Sequence, residues 1–269
     1  MIRLALAVRR EDAELVLAEL LELAPNGVEE SEDGELVEFA IYGAPGELPE
    51  LPRLRATAGG AFAQVSSERV PDDWFDGWKR FHRPVRVSGR LVVRPPWEPQ
   101  SAEGELDIVI DPGQAFGTGS HDTTRMCLEM LCELPAAGSL VDLGCGSGVL
   151  AIAAAKLGWE PVLALDHEAA SVTATVDNAA ANGVRLDVRR LDLRHEPIPA
   201  APTVVANLLR PLLLTLAARP EFAPRTLVVG GLLMEQADEV ATAFADRRGL
   251  VESRRRETGD WATLLLERG

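Results

Sequence analysis

The stretch Leu140-Val141-Asp142-Leu143-Gly144-Cys145-Gly146-Ser147-Gly148-Val149-Leu150-Ala151-Ile152-Ala153-Ala154-Ala155-Lys156-Leu157-Gly158 decides the fold. An apolar run of strand length ends in three alternating glycines, and an apolar run of helix length follows. Such a strand–turn–helix is where an α/β sheet builds its ligand site. Working outward, strands fit Val162–Asp166, Arg185–Arg190, Thr203–Asn207 and Thr226–Gly230. Helical patterns fit Thr123–Glu133, Glu168–Ala181, Pro211–Ala218 and Met234–Arg247, and Asn182-Gly183 supplies a left-handed helix stop. This alternation predicts a doubly wound, mostly parallel sheet with helices on both faces. Leu250–Arg255 and Trp261–Glu267, separated by a short turn, add an antiparallel pair at one edge and bring the count to seven strands.

The glycines let backbone approach a ligand, and the following helix offers N–H groups at its N-terminus. A dinucleotide fingerprint needs glycines at 144, 146 and 149, but position 149 is Val149. The G-x-G-x-G spacing, with Asp142 two residues before Gly144, favours a ligand with both a carboxylate and a cationic centre. S-adenosyl-methionine has both: helix N–H groups suit its carboxylate, and an acid suits its ammonium. Asp166, ending the next strand, suits the two ribose hydroxyls. Asp192, after the strand beyond, could reach the adenine edge. Asn207, ending Val204-Val205-Ala206-Asn207, faces the cleft from which a methyl group would leave, and it is the candidate catalytic residue for holding an attacking amine.

The segment Asp111–Thr124, with its glycines, hydroxyls and Phe116, suits a loop over a small polar ligand. Thr124 could cap the helix that follows or bond the ligand. His121 invites a general-base role, but a lone loop histidine is more often structural.

Residues 1–70 read as strand–helix–strand–strand–helix–strand, with a hairpin turn at Asp33-Gly34, which suggests a ferredoxin-like module for binding. Residues 71–110 read as a connector holding a short aromatic helix (Trp74 and Trp78 on one face) and strands at Leu91–Arg94 and Leu106–Ile110. Residues 111–269 form the ligand-binding domain.

The chain has 269 residues and a formal charge of −15, and residues 1–70 hold 14 acids against 6 bases. This balance disfavours duplex binding and suits a basic partner. Nothing approaches the length of a membrane helix or a secretory signal, so a cytoplasmic protein is expected. Three cysteines at these spacings predict neither a disulfide framework nor a metal site.

The segments DPGQAFGTGSHDTTRMCLEML (111–131), VDLGCGSGVLAIAAAKLG (141–158), VVANLLRPLLL (204–214) and GGLLMEQADEV (230–240), with DDWFDGWKRFHRPVRV (72–87), resemble the ribosomal protein L-eleven methyltransferase family of the PrmA type. The resemblance implies a class I, Rossmann-like methyltransferase that uses S-adenosyl-methionine and releases S-adenosyl-homocysteine. It implies donor contacts from Thr124, Gly144, Asp166 and Asn207, with Phe116, Gly117 and Thr118 lining the same pocket. It also implies an N-terminal substrate-recognition domain on a flexible linker. The expected activity is methylation of lysine ε-amines, the N-terminal α-amine, or both, on large-subunit ribosomal protein eleven. Where the family often carries Asp-x-Asp-Pro, this chain reads Leu165-Asp166-His167-Glu168, which keeps the ribose acid. A different protein lysine or small amine as acceptor, and a nucleotide-binding regulator without catalysis, are the alternative readings.

Overall fold

The computed structural model describes residues 2–9, 16, 29–33, 36–43, 62–69, 83–111 and 121–269. The chain forms two compact units, Met1–Phe81 and His82–Gly269.

In the first unit, β1 (Ile2–Arg9), β2 (Glu29–Asp33), β3 (Leu36–Gly43) and β4 (Phe62–Arg69) form an antiparallel sheet in the order β2-β3-β1-β4. That is the strand order of a ferredoxin-like sheet. β2 and β3 pair antiparallel as expected, with Asp33 opposite Leu36. Leu4, Leu6, Val8, Val37, Phe39 and Ile41 are buried, so alternate residues of the two central strands make the core. The expected helix over residues 11–23 has only Val16 among the described residues, and the aromatic helix of the connector lies outside them.

The second unit opens with β5 (Val85–Val87), β6 (Leu91–Arg94) and β7 (Leu106–Val109), a small sheet whose first strand the sequence pattern did not signal. Then come α1 (Asp122–Glu133), β8 (Leu140–Leu143), α2 (Val149–Leu157), β9 (Val162–Asp166), α3 (Ala169–Ala181), β10 (Asp187–Arg190) and β11 (Thr203–Asn207). The chain ends with α4 (Arg210–Ala218), β12 (Thr226–Leu233), α5 (Met234–Arg248), β13 (Leu250–Thr258) and β14 (Trp261–Arg268). The seven-stranded sheet has the order β10-β9-β8-β11-β12-β14-β13. Its first five strands are parallel, β14 lies antiparallel to β12, and β13 pairs with β14 at the edge. The order reverses between β8 and β11, which makes the carboxyl ends of these two strands the switch point where doubly wound sheets bind ligands.

The sheet separates two apolar layers. Leu140 of β8 packs with Leu128, Ile152 and Ala179, on the side of α1, α2 and α3. Val141 and Leu143 pack with Leu213, Val240 and Phe244, on the side of α4 and α5. Strand side chains alternate between faces. Asp142 therefore shares a face with Leu140, and the same parity puts Asp166 with Ala164 and Asn207 with Val205. Three polar residues thus lie at or one residue before the ends of three strands on one face, under α1–α3. β12 outruns its expected end at Gly230 and reaches Leu233, with a break in pairing register between Val229 and Leu232. Gly231 takes a φ of +77° inside that break, and an added Cβ there would strike the Leu208 backbone oxygen at 2.4 Å.

Candidate active site

The glycine loop joins β8 to α2. Gly144, Gly146 and Gly148 all have positive φ, at 76°, 53° and 82°. At Gly148 the reason is double. It caps α2 in the left-handed region, and a Cβ would meet the Thr175 side chain at 2.8 Å and its Cα at 3.2 Å.

The loop is tied down on every side. The N–H groups of Gly144 and Cys145 both donate to the Leu165 carbonyl, at 2.8 and 3.0 Å. The Gly146 N–H donates to Asp166 Oδ2 at 2.9 Å, and Asp166 Oδ1 accepts from the Glu168 N–H at 3.0 Å. Asp166 thus both braces the loop and caps the turn into α3. His167 is exposed beside it, as expected of a surface residue.

Asp142 is fully buried. Its Oδ2 accepts from the Ala151 N–H at 3.1 Å, while Oδ1 has no partner among the described residues. Burial, reinforced by the nearby Asp166 charge, pushes its pKa up to about 7. At the N-terminus of α2, Asp142 takes the N–H of Ala151 at 3.1 Å and Ser147 Oγ that of Val149 at 3.4 Å.

On the other side of the switch point, Asn207 Nδ2 donates to Thr124 Oγ1 at 3.2 Å. Asn207 Oδ1 is buried without a partner among the described residues. It lies over Gly230, where a Cβ would stand 2.7 Å from Oδ1 and 2.6 Å from Cys127 Sγ, so only glycine leaves room for the amide. Leu208, whose N–H reaches the Gly230 carbonyl, also fills the space beside Gly144, with Cδ2 2.3 Å from the position of an added Cβ. Leu209, next in the chain, is 68% exposed.

The structure therefore brings Asp142, Gly144, Gly146 and Asp166 together, and separately joins Thr124 to Asn207. Asp192 follows β10, where the Leu191 N–H bonds the Asp166 carbonyl. Its carboxylate is occupied by Arg194 and His195, at 2.9 and 3.0 Å, and the Arg194 side chain holds its pKa well below the usual range. Phe116, Gly117 and Thr118 lie outside the described residues. Thr124 does not cap α1. His121 does, its Nδ1 accepting from the Thr123 N–H, and its ring packs edge-on against Trp261 with centroids 4.9 Å apart.

The sequence pattern did not single out Thr175 and Asn178, which both bond the backbone of the glycine loop. Their signal was available: they fall at i and i+3, one face of α3.

Buried oxygen atoms without partners, glycine-lined backbone and a switch-point crevice all fit a polar nucleoside that carries a cationic centre. Among the described residues no cluster of three or more His, Cys, Asp or Glu could hold a metal ion, and no helix is long and apolar enough to cross a membrane.

Comparison with known proteins agrees with this geometry. The family model described as ribosomal protein L11 methyltransferase (PrmA) matches residues 51–269. A ribosomal protein L11 methyltransferase of Geobacter metallireducens is 40% identical over 74% of this chain and 67% of its own length. That of Bordetella parapertussis is 37% identical over 97% of both chains. The crystal structure of a ribosomal protein L11 methylase from Lactobacillus delbrueckii subsp. bulgaricus superposes with a TM-score of 0.64 at 29% identity, covering 70% of this chain and 99% of that one. The chain belongs to the ribosomal protein L11 methyltransferase (PrmA) family.

Proposed function

We propose that this protein transfers methyl groups from S-adenosyl-methionine to amino groups of ribosomal protein L11, at lysine ε-amines, the N-terminal α-amine, or both. The observation that carries the reading is the Thr124–Asn207 pair. It holds an amide at the switch point, beside the glycine loop, with its oxygen unpartnered among the described residues.

When bound, the donor supplies an electrophilic methyl on a sulfonium. Asp166 holds the ribose hydroxyls with the acceptor capacity left after its two backbone bonds, since a carboxylate has about four lone-pair sites. Gly144 and Gly146 form the floor. Asp142 lies under the loop as the acid for the ammonium group, whose positive charge favours its ionised form against the burial that raises its pKa, and Asp192 lies toward the adenine edge. Phe116, Gly117 and Thr118 complete the pocket in this reading.

Asn207 Oδ1 accepts an N–H from the incoming amine and so orients its lone pair, while Thr124 keeps the amide from rotating. The amine must arrive neutral. A lysine with pKa ~10.4 costs roughly 4.6 kcal/mol to deprotonate at pH 7, and an α-amine near pKa ~8 costs about 1.4 kcal/mol. Desolvation in the crevice and the neighbouring sulfonium charge lower a lysine's pKa in the required direction. With deprotonation so assisted, positioning can carry the rate and no strong general base is needed. In this reading His121 stays structural, as a helix cap.

The first unit, rich in acids, recognises the basic protein substrate. Methylation of a ribosomal protein supports residence in the cytoplasm. No role for nucleic acid, membrane or metal enters the reading.

The test is intact mass spectrometry of large-subunit ribosomal proteins after incubation with enzyme and donor. Mass gains in multiples of one methylene on ribosomal protein L11 are expected. Gains confined to another protein, or none with release of S-adenosyl-homocysteine absent, would overturn the proposal.

A further inference from the structure

A helix laid on a parallel sheet normally buries an apolar stripe, but α3 buries Ser171, Thr175 and Asn178 instead, with Ala179 the one apolar residue among them. Two of these reach into the glycine loop. Thr175 Oγ1 donates to the Gly146 carbonyl at 2.9 Å. Asn178 Nδ2 donates to the Ser147 carbonyl at 2.9 Å, and its Oδ1 accepts from the Asp111 N–H at 3.1 Å. One turn on, Asn182 makes a two-way bond with Val109 of β7: Oδ1 accepts from its N–H at 2.9 Å, and Nδ2 donates to its carbonyl at 2.6 Å.

The side chain of Asn178 is thus the only one of the three that grips both the glycine loop and the strand leading to residue 111. At 4% exposure it has no water to substitute for either bond.

We infer that Asn178 is a positioning residue for the donor site, holding the Ser147 peptide of the glycine loop in register with Asp111 so that the loop is already shaped when the donor arrives. The inference rests on the donor reading proposed above. The loop's shape depends on three left-handed glycines that have no side chains of their own to fix them, so external braces on the loop's peptides limit their freedom. Thr175 braces one carbonyl and Asn178 the next. Asn182 offers a matched comparison. It too makes two bonds to backbone leading toward residue 111, yet it does not touch the loop.

The full-length enzyme tests this by calorimetric titration with S-adenosyl-methionine, together with donor KM, kcat and thermal melting. Asn178→Leu, which keeps the branching and heavy-atom count without polar atoms, is expected to weaken donor binding at least tenfold, with the loss in donor KM rather than kcat. Asn182→Leu is expected to melt earlier to a similar degree yet bind donor within twofold of wild type. Asn178→Asp keeps the acceptor for Asp111 but faces the Ser147 carbonyl with a carboxylate oxygen. It guards against misfolding of the leucine variant, and the same tenfold weakening is expected of it. Donor affinity within twofold of wild type in the folded Asn178 variant, or an equal loss in Asn182→Leu at equal melting temperature, would overturn the inference. A wild-type enzyme that fails to bind the donor overturns the donor reading itself. Wild-type binding with an unmoved Asn178 variant overturns this inference alone.

Discussion

The two sides of the switch point differ in how their polar atoms are satisfied. On the β8–β9 side nearly every group is paired within the protein: Gly144 and Cys145 to Leu165, Gly146 and Glu168 to Asp166, Ala151 to Asp142, and the Gly146 and Ser147 carbonyls to α3. On the β11 side, among the described residues, Asn207 makes one hydrogen bond through its amide nitrogen and leaves its oxygen without a partner, while Leu209 stands exposed. A closed network suits a ligand of fixed shape, because no reorganisation is needed on binding. An open amide oxygen suits a group that arrives only for the reaction. Within the proposed function, the closed side holds the donor and the open side meets the acceptor.

That division breaks most directly at Asp166. Its carboxylate makes two backbone bonds, and the proposed ribose bonds add to them, each charge-assisted bond contributing roughly 1.5–3 kcal/mol. Asp166→Ala is expected to weaken donor binding at least a hundredfold, beyond detection in calorimetry. Affinity within about twofold of wild type would remove the residue from the donor site. Asn207→Ala tests the open side. Turnover with radiolabelled donor is expected to fall about a hundredfold, roughly 2.7 kcal/mol in the barrier, while donor affinity falls much less. Equal losses in both quantities would erase the distinction between the two sides, and unchanged methylation would reassign Asn207 to structure.

The closed side was the more legible in the sequence. Apolar β8, the alternating glycines and the acid ending β9 are local signals, each within a few residues, and the strands and helices around them formed within a residue or two of expectation at most ends. What stayed hidden was pairing across distance. Asn178 and Ser147 are brought together by packing of α3 on the loop, and no local pattern states it. The break at Gly230-Gly231 was hidden for a related reason: two glycines ending an apolar run look like a stop, but here the Leu208 backbone and the Asn207 amide occupy the space their side chains would need. His121 was legible as structural and not as the helix cap, since an imidazole nitrogen is a less common cap than a threonine hydroxyl such as that of Thr124.

Asp142 is where the closed side is incomplete, and it gives the smallest effect. Among the described residues its buried carboxylate has one hydrogen bond, an unpartnered oxygen, and Asp166, Cys127 and Cys145 as titratable neighbours. Both thiols are pushed up by burial and stay neutral near pH 7, so Asp166 is the charge that matters. With its pKa raised to about 7, Asp142 is protonated in the folded protein at pH values where it is already ionised in the unfolded chain. Its contribution is therefore most favourable below the unfolded value, ~3.9, and is lost as pH rises toward 7, at about 1.4 kcal/mol per unit. Asp142→Asn keeps an acceptor for the Ala151 N–H and cannot ionise. The melting temperature of this variant, measured against wild type, is expected to gain several degrees between pH 5 and pH 7.5, on the order of 2 kcal/mol. A difference that stays constant across that range would mean that Asp142 ionises as readily in the folded protein as in the unfolded chain, and that the closed side has no such gap.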